Sequence, residues 1–162
     1  DYPTYLRTAA EVIKADPTIH FIIAGQGPEE KRIQKMIRSL HLEGNVHMLG
    51  FRDDIVDVMK SLDLFLITSK TEGLGTIVLE AFAAGVPVVA TRAGGIPEMV
   101  EDTVTGLLAE PGDTESLKNA TLRVLTDPLL KNTFVQNALT RVQDFSYQAT
   151  AEKTLEIYKR SE

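Results

Sequence analysis

The feature that most constrains the fold is the alternation of short apolar runs with longer amphipathic segments. The apolar runs are bounded by Gly, Pro, Asp or Asn and cover residues 19–24, 46–49, 64–67, 86–90 and 106–108. Helical patterns lie near residues 4–15, 28–41, 53–61 and 75–84. Such alternation is typical of βαβ units and a parallel sheet. We therefore predict an α/β fold with a Rossmann-like, doubly wound parallel sheet whose strands are buried on both faces.

Three further helices are predicted after residue 112, where the strand-like runs end. Their patterns cover residues 113–126, 128–143 and 147–160. Asp113 or Thr114 can cap the first of these helices, and Ser146 can cap the third. Asp127-Pro128 separates the first from the second. We expect these helices to pack on the sheet or on another domain.

The first predicted element is a helix, whereas doubly wound domains normally open with the strand that seeds the sheet. We therefore expect residues 1–162 to form a single Rossmann-like domain that lacks its first, central strand. The runs at 19–24 and 64–67 would flank the vacant position. Because unsatisfied buried backbone groups are costly, we expect the slot either to close by direct pairing of these two strands or to be filled. Another chain, or residues outside this sequence, could fill it.

Charge and composition exclude several classes of function. The net charge is −6, from 17 basic and 23 acidic residues, and no basic tract is present to hold a nucleic-acid backbone. The absence of cysteine excludes a disulfide scaffold, cysteine-ligated metal and a thiol nucleophile. No apolar run approaches the roughly 20 residues that a transmembrane helix needs.

The most informative stretch for function follows the run at 64–67. It reads Thr68-Ser69-Lys70-Thr71-Glu72-Gly73-Leu74-Gly75-Thr76-Ile77-Val78-Leu79-Glu80. Glycines let a backbone approach a ligand closely, and the first N–H groups of a helix lack internal partners, which favours a phosphate site. Glu72 and Glu80 could accept hydrogen bonds from the hydroxyls of a sugar and a ribose. The residues alone leave open the alternative that both carboxylates are surface charges.

Other turns and the histidines carry weaker signals. Gly25-Gln26-Gly27 lacks the third glycine of a dinucleotide fingerprint, and no GK[ST] sequence of a P-loop occurs. The Gly25-Gln26-Gly27 segment can equally well be interpreted as a tight turn into a helix or as a loop that faces a ligand. His20, His41 and His47 do not have metal-ligand spacing, so we interpret them as structural residues.

The stretch ending at Glu80 resembles the E-x7-E region of retaining nucleotide-sugar glycosyltransferases. It continues in the same pattern as Ala81-x-Ala83-x-Gly85-x-Pro87-Val88-Val89-Ala90. The family is the fourth of the sequence classification, the group 1 glycosyl transferases of two-domain GT-B architecture. Other segments similar to the family are Ile23-Ala24-Gly25-Gln26-Gly27-Pro28, Val46-x-x-Leu49-Gly50-Phe51, Gly94-Gly95-Ile96-Pro97-Glu98-x-Val100, Gly106-Leu107-Leu108 and Phe145-Ser146-Tyr147. The resemblance covers essentially the whole chain.

The resemblance implies the C-terminal, donor-binding domain of such an enzyme. Glu72 matches the first Glu of the motif, which contacts the donor-sugar hydroxyls. It is the candidate catalytic residue, but we do not assign it the role of a nucleophile or of a general acid. Glu80 matches the second Glu, which holds the ribose hydroxyls. Phe51 and Arg52 would lie where the family places the base, and an Arg plane can stack there. Gly25 would leave room for the nucleotide.

Backbone groups would complete the donor site that the resemblance implies. The N–H groups of Gly73, Leu74 and Gly75 would face the sugar. Those of Thr76 and Ile77 would face the diphosphate. The charge that develops on the leaving group would be stabilised by this helix start and by two family cations, an Arg and a Lys that precede Asp1 in relatives.

The implied reaction is transfer of a sugar from a nucleoside-diphosphate sugar to an acceptor hydroxyl, with retention, in polysaccharide biosynthesis. No Asp-x-Asp sequence occurs, so we expect no metal and no cofactor besides the donor substrate. The implied partner is an N-terminal acceptor-binding domain in cis, which this sequence does not include. Without that domain and the two cations, we expect weak nucleotide binding and no transfer by the isolated chain.

The resemblance also implies a cytoplasmic enzyme, and it leaves open peripheral association of the full-length enzyme with the inner face of the membrane. Two other functions fit the same architecture. One is a half-domain of a nucleotide-sugar epimerase, and the other is a nucleotide-binding module without catalytic activity. Hydrolysis, epimerisation and binding assays with one panel of nucleotide sugars distinguish the three.

Overall fold

The computed structural model describes residues 1–160, in which parallel strands alternate with helices as predicted. The strands are β1 (Phe21–Ala24), β2 (Val46–Gly50), β3 (Phe65–Ile67), β4 (Val88–Thr91) and β5 (Gly106–Ala109). The helices are α1 (Tyr2–Ala15), α2 (Glu30–Ser39), α3 (Ile55–Lys60), α4 (Ile77–Ala83), α5 (Ile96–Met99), α6 (Thr114–Thr126), α7 (Pro128–Arg141) and α8 (Tyr147–Arg160). Only α5 and the 3-10 turn Val142–Phe145 were not predicted as separate elements among these residues. The prediction of an α/β Rossmann-like fold is confirmed.

The strands form two separate parallel sheets. In one sheet β1 pairs with β2, and in the other the order is β3-β4-β5. Each of these two orders matches part of the doubly wound pattern. Within residues 1–160 no ladder joins β1 to β3, so of the two expected alternatives direct pairing is wrong. Filling of the slot by another chain or by other residues stays a prediction.

Helix α1 holds the two sheets together in place of strand pairing. Its fully buried residues Leu6, Ala9 and Val12 share one apolar cluster with Phe21 of β1 and Leu66 of β3. The hydroxyl of Tyr5, in the same helix, donates to the carbonyl of Ile22 at 3.0 Å. The apolar area that α1 buries against both sheets is the physical reason why they stay together without a shared ladder.

Burial on both faces was predicted for every strand, and it holds only for part of the structure. All four residues of β4 are buried, as expected for a central parallel strand. In β1 buried and half-buried residues alternate, in β2 His47 and Leu49 are exposed, and in β3 every residue is half-buried, so the prediction is wrong for these three strands. The prediction therefore holds for the centre of the second sheet and not for the first sheet.

Two of the C-terminal helices begin at residues predicted to cap them, Asp113 and Ser146, and the helix between them is capped by Asp127, which was predicted only as a break. The Asp113 carboxylate accepts a hydrogen bond from the N–H of Ser116 at 3.0 Å, and the Asp127 carboxylate accepts one from Leu130 at 3.0 Å. The hydroxyl of Ser146 accepts a hydrogen bond from the N–H of Ala149 at 3.2 Å. Helix α6 packs on α1 and the second sheet, α7 packs on α4 and α6, and α8 packs mainly on the preceding 3-10 turn. None of the described helices combines the length and apolar character that crossing a bilayer requires.

Candidate functional site

The candidate site lies at the carboxyl ends of β3 and β4, where residues 68–76 connect β3 to α4. Glu72, the candidate catalytic residue, is half-buried in this loop. Its Oε2 accepts a hydrogen bond from the Ser69 hydroxyl at 3.0 Å, and its Oε1 accepts one from the N–H of Gly73 at 3.3 Å. No described cation forms an ion pair with Glu72, so these two hydrogen bonds orient its carboxylate.

The backbone between the two carboxylates offers free donors. Within residues 1–160 the N–H groups of Leu74, Gly75, Thr76 and Ile77 make no hydrogen bond. Such consecutive unpaired donors at a helix start suit an anion. Glu80, on α4, is exposed, and its carboxylate has no hydrogen-bond or ion-pair partner among the described residues, although α4 is otherwise apolar. The loop and the helix therefore present a half-buried carboxylate, a row of donors and a free carboxylate in succession.

A second loop, which follows β4, supports the first. The N–H of Gly95 donates to the carbonyl of Gly73 at 2.9 Å. Gly94 has φ +51°, and a Cβ at this position would lie 1.9 Å from the carbonyl oxygen of Glu72. Because β3 and β4 are neighbours, the loops at their carboxyl ends meet. The sequence analysis quoted these glycines as part of a motif but did not predict this contact.

The residues predicted to face the base lie at the carboxyl end of β2. The N–H of Gly25, just after β1, donates to the carbonyl of Gly50 at 2.7 Å, which brings the two strand ends together. Phe51 follows Gly50 and is 69% exposed. Arg52 donates through Nε and Nη2 to the two carboxylate oxygens of Asp54. These hydrogen bonds lower the pKa of Asp54 and raise that of Arg52, and they hold the guanidinium against the Asp54 carboxylate.

An open crevice of about 420 Å³ lies beside the first loop. Ser69 and Lys70 line it on one side and Arg32, from the first turn of α2, on the other. Lys70 forms an ion pair with Asp1 at 3.3 Å, and Arg32 forms one with Glu29 at 2.7 Å. Both are cations at the edge of the candidate site that the sequence analysis did not single out.

Two of the histidines interact, which the sequence did not indicate. His20 Nδ1 and His47 Nε2 lie 3.0 Å apart on the exposed face of the first sheet. Register explains the contact, because Ile22 is opposite His47 and His20 is two residues before Ile22 on the same face. In residues 1–160 no third metal-ligating side chain joins the pair.

Comparison with known proteins agrees with this geometry. The family model described as Glycosyl transferases group 1 matches residues 2–141. The N-acetyl-alpha-D-glucosaminyl L-malate synthase of Bacillus anthracis is 35% identical over 138 residues, which is 85% of this chain and 35% of that protein. The D-inositol 3-phosphate glycosyltransferase of Saccharomonospora viridis is 31% identical, over 96% of this chain and 39% of that protein. The chain therefore spans well under half the length of these curated relatives.

A solved structure gives the same result for the fold. Anabaena Alr3699/HepE, solved in complex with UDP-glucose, superposes with a TM-score of 0.83 at 31% sequence identity. The match covers 96% of this chain and 44% of that protein. Since the family model matches most of the chain, and since the fold and the E-x7-E loop agree with it, the chain belongs to the group 1 glycosyl transferases.

Proposed function

We propose that this chain is the donor-binding part of a glycosyltransferase that moves a sugar from a nucleoside-diphosphate sugar to an acceptor hydroxyl with retention of anomeric configuration. The acceptor-binding part would be a further domain of the whole enzyme. This would account for the match to only 44% of HepE and 35% of the N-acetyl-alpha-D-glucosaminyl L-malate synthase. Under this proposal the nucleotide sugar is the only small molecule that the chain needs, and no metal takes part.

The observation that carries the proposal is the arrangement of residues 72–80. Two carboxylates that lack ion-pair partners flank a row of unpaired backbone donors at one sheet edge. A nucleotide sugar has the complementary pattern, with hydroxyls on the sugar, a diphosphate in the middle and hydroxyls on the ribose. HepE, which has the same fold at 31% identity, was solved with UDP-glucose.

In the proposed reaction the bond between the anomeric carbon and the diphosphate oxygen breaks, and a bond to the acceptor oxygen forms. The diphosphate oxygen leaves with the electron pair and takes up the proton that the acceptor hydroxyl loses. Negative charge thus grows on the diphosphate, which the proposal places beside the free N–H groups of Thr76 and Ile77. Fixed donors at this place stabilise the developing charge without reorganisation. Glu72 would hold the sugar hydroxyls during this step, and Glu80 would hold the ribose.

The test is a ligand-observed NMR screen of the 162-residue chain against UDP, GDP, ADP and their glucose derivatives. The proposal is supported if at least one nucleoside diphosphate and its glucose derivative both bind and compete with each other. Binding of none of them contradicts it. Mixing the chain with its preferred donor and a panel of sugar acceptors should give no transfer, because the acceptor domain is a separate part of the enzyme.

Replacing Glu80 with alanine is expected to weaken binding of the nucleoside diphosphate by about 1–3 kcal/mol, because the ribose hydroxyls lose a charged acceptor. The measurement is calorimetric titration of the chain with the diphosphate that the screen selects. Glu152→Ala, on exposed α8, is the matched control and should leave the affinity unchanged. An unaltered affinity in a folded Glu80→Ala variant would refute the ribose assignment.

Replacing Glu72 with alanine is expected to separate sugar recognition from nucleotide recognition. Affinity for the nucleotide sugar should fall by roughly 1–3 kcal/mol, whereas affinity for the bare diphosphate nucleotide should stay the same. The reason is that Glu72 precedes the row of backbone donors, on the side proposed for the sugar. The two titrations are compared on the same variant. Equal losses for both ligands would contradict the assignment.

A further inference from the structure

The hydroxyl of Ser69 is the one side-chain donor to Glu72 in the described part of the chain. The other donor is the N–H of the adjacent Gly73, at the longer distance of 3.3 Å. A carboxylate has about four acceptor positions, so two hydrogen bonds leave about half of them free for a ligand. Without the hydroxyl, only a long bond from a neighbouring residue would orient the Glu72 side chain.

Ser69 is itself held by buried neighbours. Its carbonyl accepts a hydrogen bond of 2.7 Å from the hydroxyl of Thr91, which is 0% exposed at the end of β4. The preceding residue, Thr68, is also buried, and its hydroxyl donates to the carbonyl of Asp1 at 3.0 Å. The backbone of Ser69 is therefore anchored to the second sheet and to the start of α1. A hydroxyl on such a fixed backbone can hold a carboxylate in one direction.

We infer that Ser69 is a positioning residue for Glu72 and sets the affinity for the donor sugar without touching it. This inference rests on the proposed function, because it takes the ligand of Glu72 to be the sugar of a nucleotide sugar. The geometry points to Ser69 and not to its neighbour Lys70, whose ammonium group pairs with Asp1. Hydrogen bonds thus connect the buried end of β4, through Ser69, to the half-buried carboxylate of Glu72.

The test uses the 162-residue chain, with UDP-glucose and UDP as probes, or the corresponding pair that the NMR screen selects. In Ser69→Ala, affinity for the nucleotide sugar should fall roughly 3- to 10-fold, the range of one net hydrogen bond, whereas affinity for the diphosphate should change less than twofold. Ser69→Thr keeps the hydroxyl and should restore most of the affinity. Ser61→Ala makes the same change on an exposed serine remote from the loop and should have no effect.

A double-mutant cycle separates positioning from a general structural role. If Ser69 acts only through Glu72, then Ser69→Ala should cause no further loss of nucleotide-sugar affinity in a Glu72→Ala background. The inference would be overturned if Ser69→Ala lowered nucleotide-sugar affinity equally in both backgrounds, or if the Ser69→Ala single variant kept its full affinity. Either result would leave the Glu72 assignment intact. A Glu72→Ala variant that keeps its sugar affinity, or an unaltered chain that binds no probe, would refute the proposed function and the inference with it.

Discussion

Gly94→Ala is expected to be the most damaging single substitution for ligand binding. The new Cβ would lie 1.9 Å from the carbonyl oxygen of Glu72 and 2.8 Å from that of Gly73, and both are backbone atoms. To avoid this clash, the whole loop that carries Glu72 would have to move away from β4. We expect a loss of about 3 kcal/mol in unfolding free energy, from overpacking and from the left-handed backbone together. We also expect nucleotide-sugar affinity to fall by at least roughly tenfold, because recognition depends on placement within about 1 Å.

Gly112→Ala is the matched control for this substitution. Gly112 also has a positive φ, +85°, but no atom lies within 4 Å of the position of its added Cβ. It therefore reports the cost of the backbone conformation alone, about 1–2 kcal/mol. Urea unfolding and calorimetric titration are measured on both variants. If Gly94→Ala were no more harmful than Gly112→Ala in either measurement, the two loops would not be in the contact described.

Phe82→Ala is expected to have the largest effect on stability. Phe82 lies on α4, two residues after Glu80, and its side chain is 0% exposed in the largest apolar cluster of the domain. Truncation of a buried Phe to Ala removes about 3–5 kcal/mol, through lost burial and the cavity left behind. Urea unfolding measures the loss. Phe82→Leu, which keeps most of the volume, provides an intermediate value if the alanine variant does not fold.

Phe51→Ala makes the same chemical change at an exposed position and should alter the unfolding free energy by less than about 0.5 kcal/mol. Its effect should appear instead in nucleotide affinity, because Phe51 is proposed to lie beside the base. The two variants are thus expected to show opposite profiles. A stability loss at Phe51 comparable to that at Phe82 would contradict the exposed placement of the ring.

The order of elements could be predicted from the sequence because each strand is a short apolar run with clear boundaries. β4 shows this best, since Val88, Val89 and Ala90 are buried on both faces. The short helix α5 could not be predicted in the same way, because four residues are too few to establish a helical period. The absence of pairing between β1 and β3 could not be predicted either. It depends on how α1 packs across both sheets, which local sequence does not encode.

The candidate site was predictable to the extent that it is local in sequence. Glu72, the glycines after it and Glu80 lie within one strand–loop–helix segment, so the sequence shows their spacing directly, although the residues alone left open that both carboxylates are surface charges. The contact between Gly94 and the Glu72 loop joins two segments that meet only because β3 and β4 are neighbours. The His20–His47 contact depends in the same way on strand register. Such contacts require the tertiary fold, and no periodicity in the sequence reports them.

The bridging position of α1 has a consequence for how the domain opens. Because the two sheets share no backbone ladder within residues 1–160, cooperativity between them must pass through side chains, above all Leu6, Ala9 and Val12. Packing contacts of this kind can loosen while the ladders on either side remain intact, so we expect the two sheets to behave as two sub-global unfolding units. Phe51 and Arg52 follow the sheet of β1 and β2, whereas Glu72 and Glu80 follow the sheet of β3, β4 and β5. A nucleotide sugar that contacts both groups would therefore act as a second tie between the units, and its binding would be energetically coupled to the docking of α1.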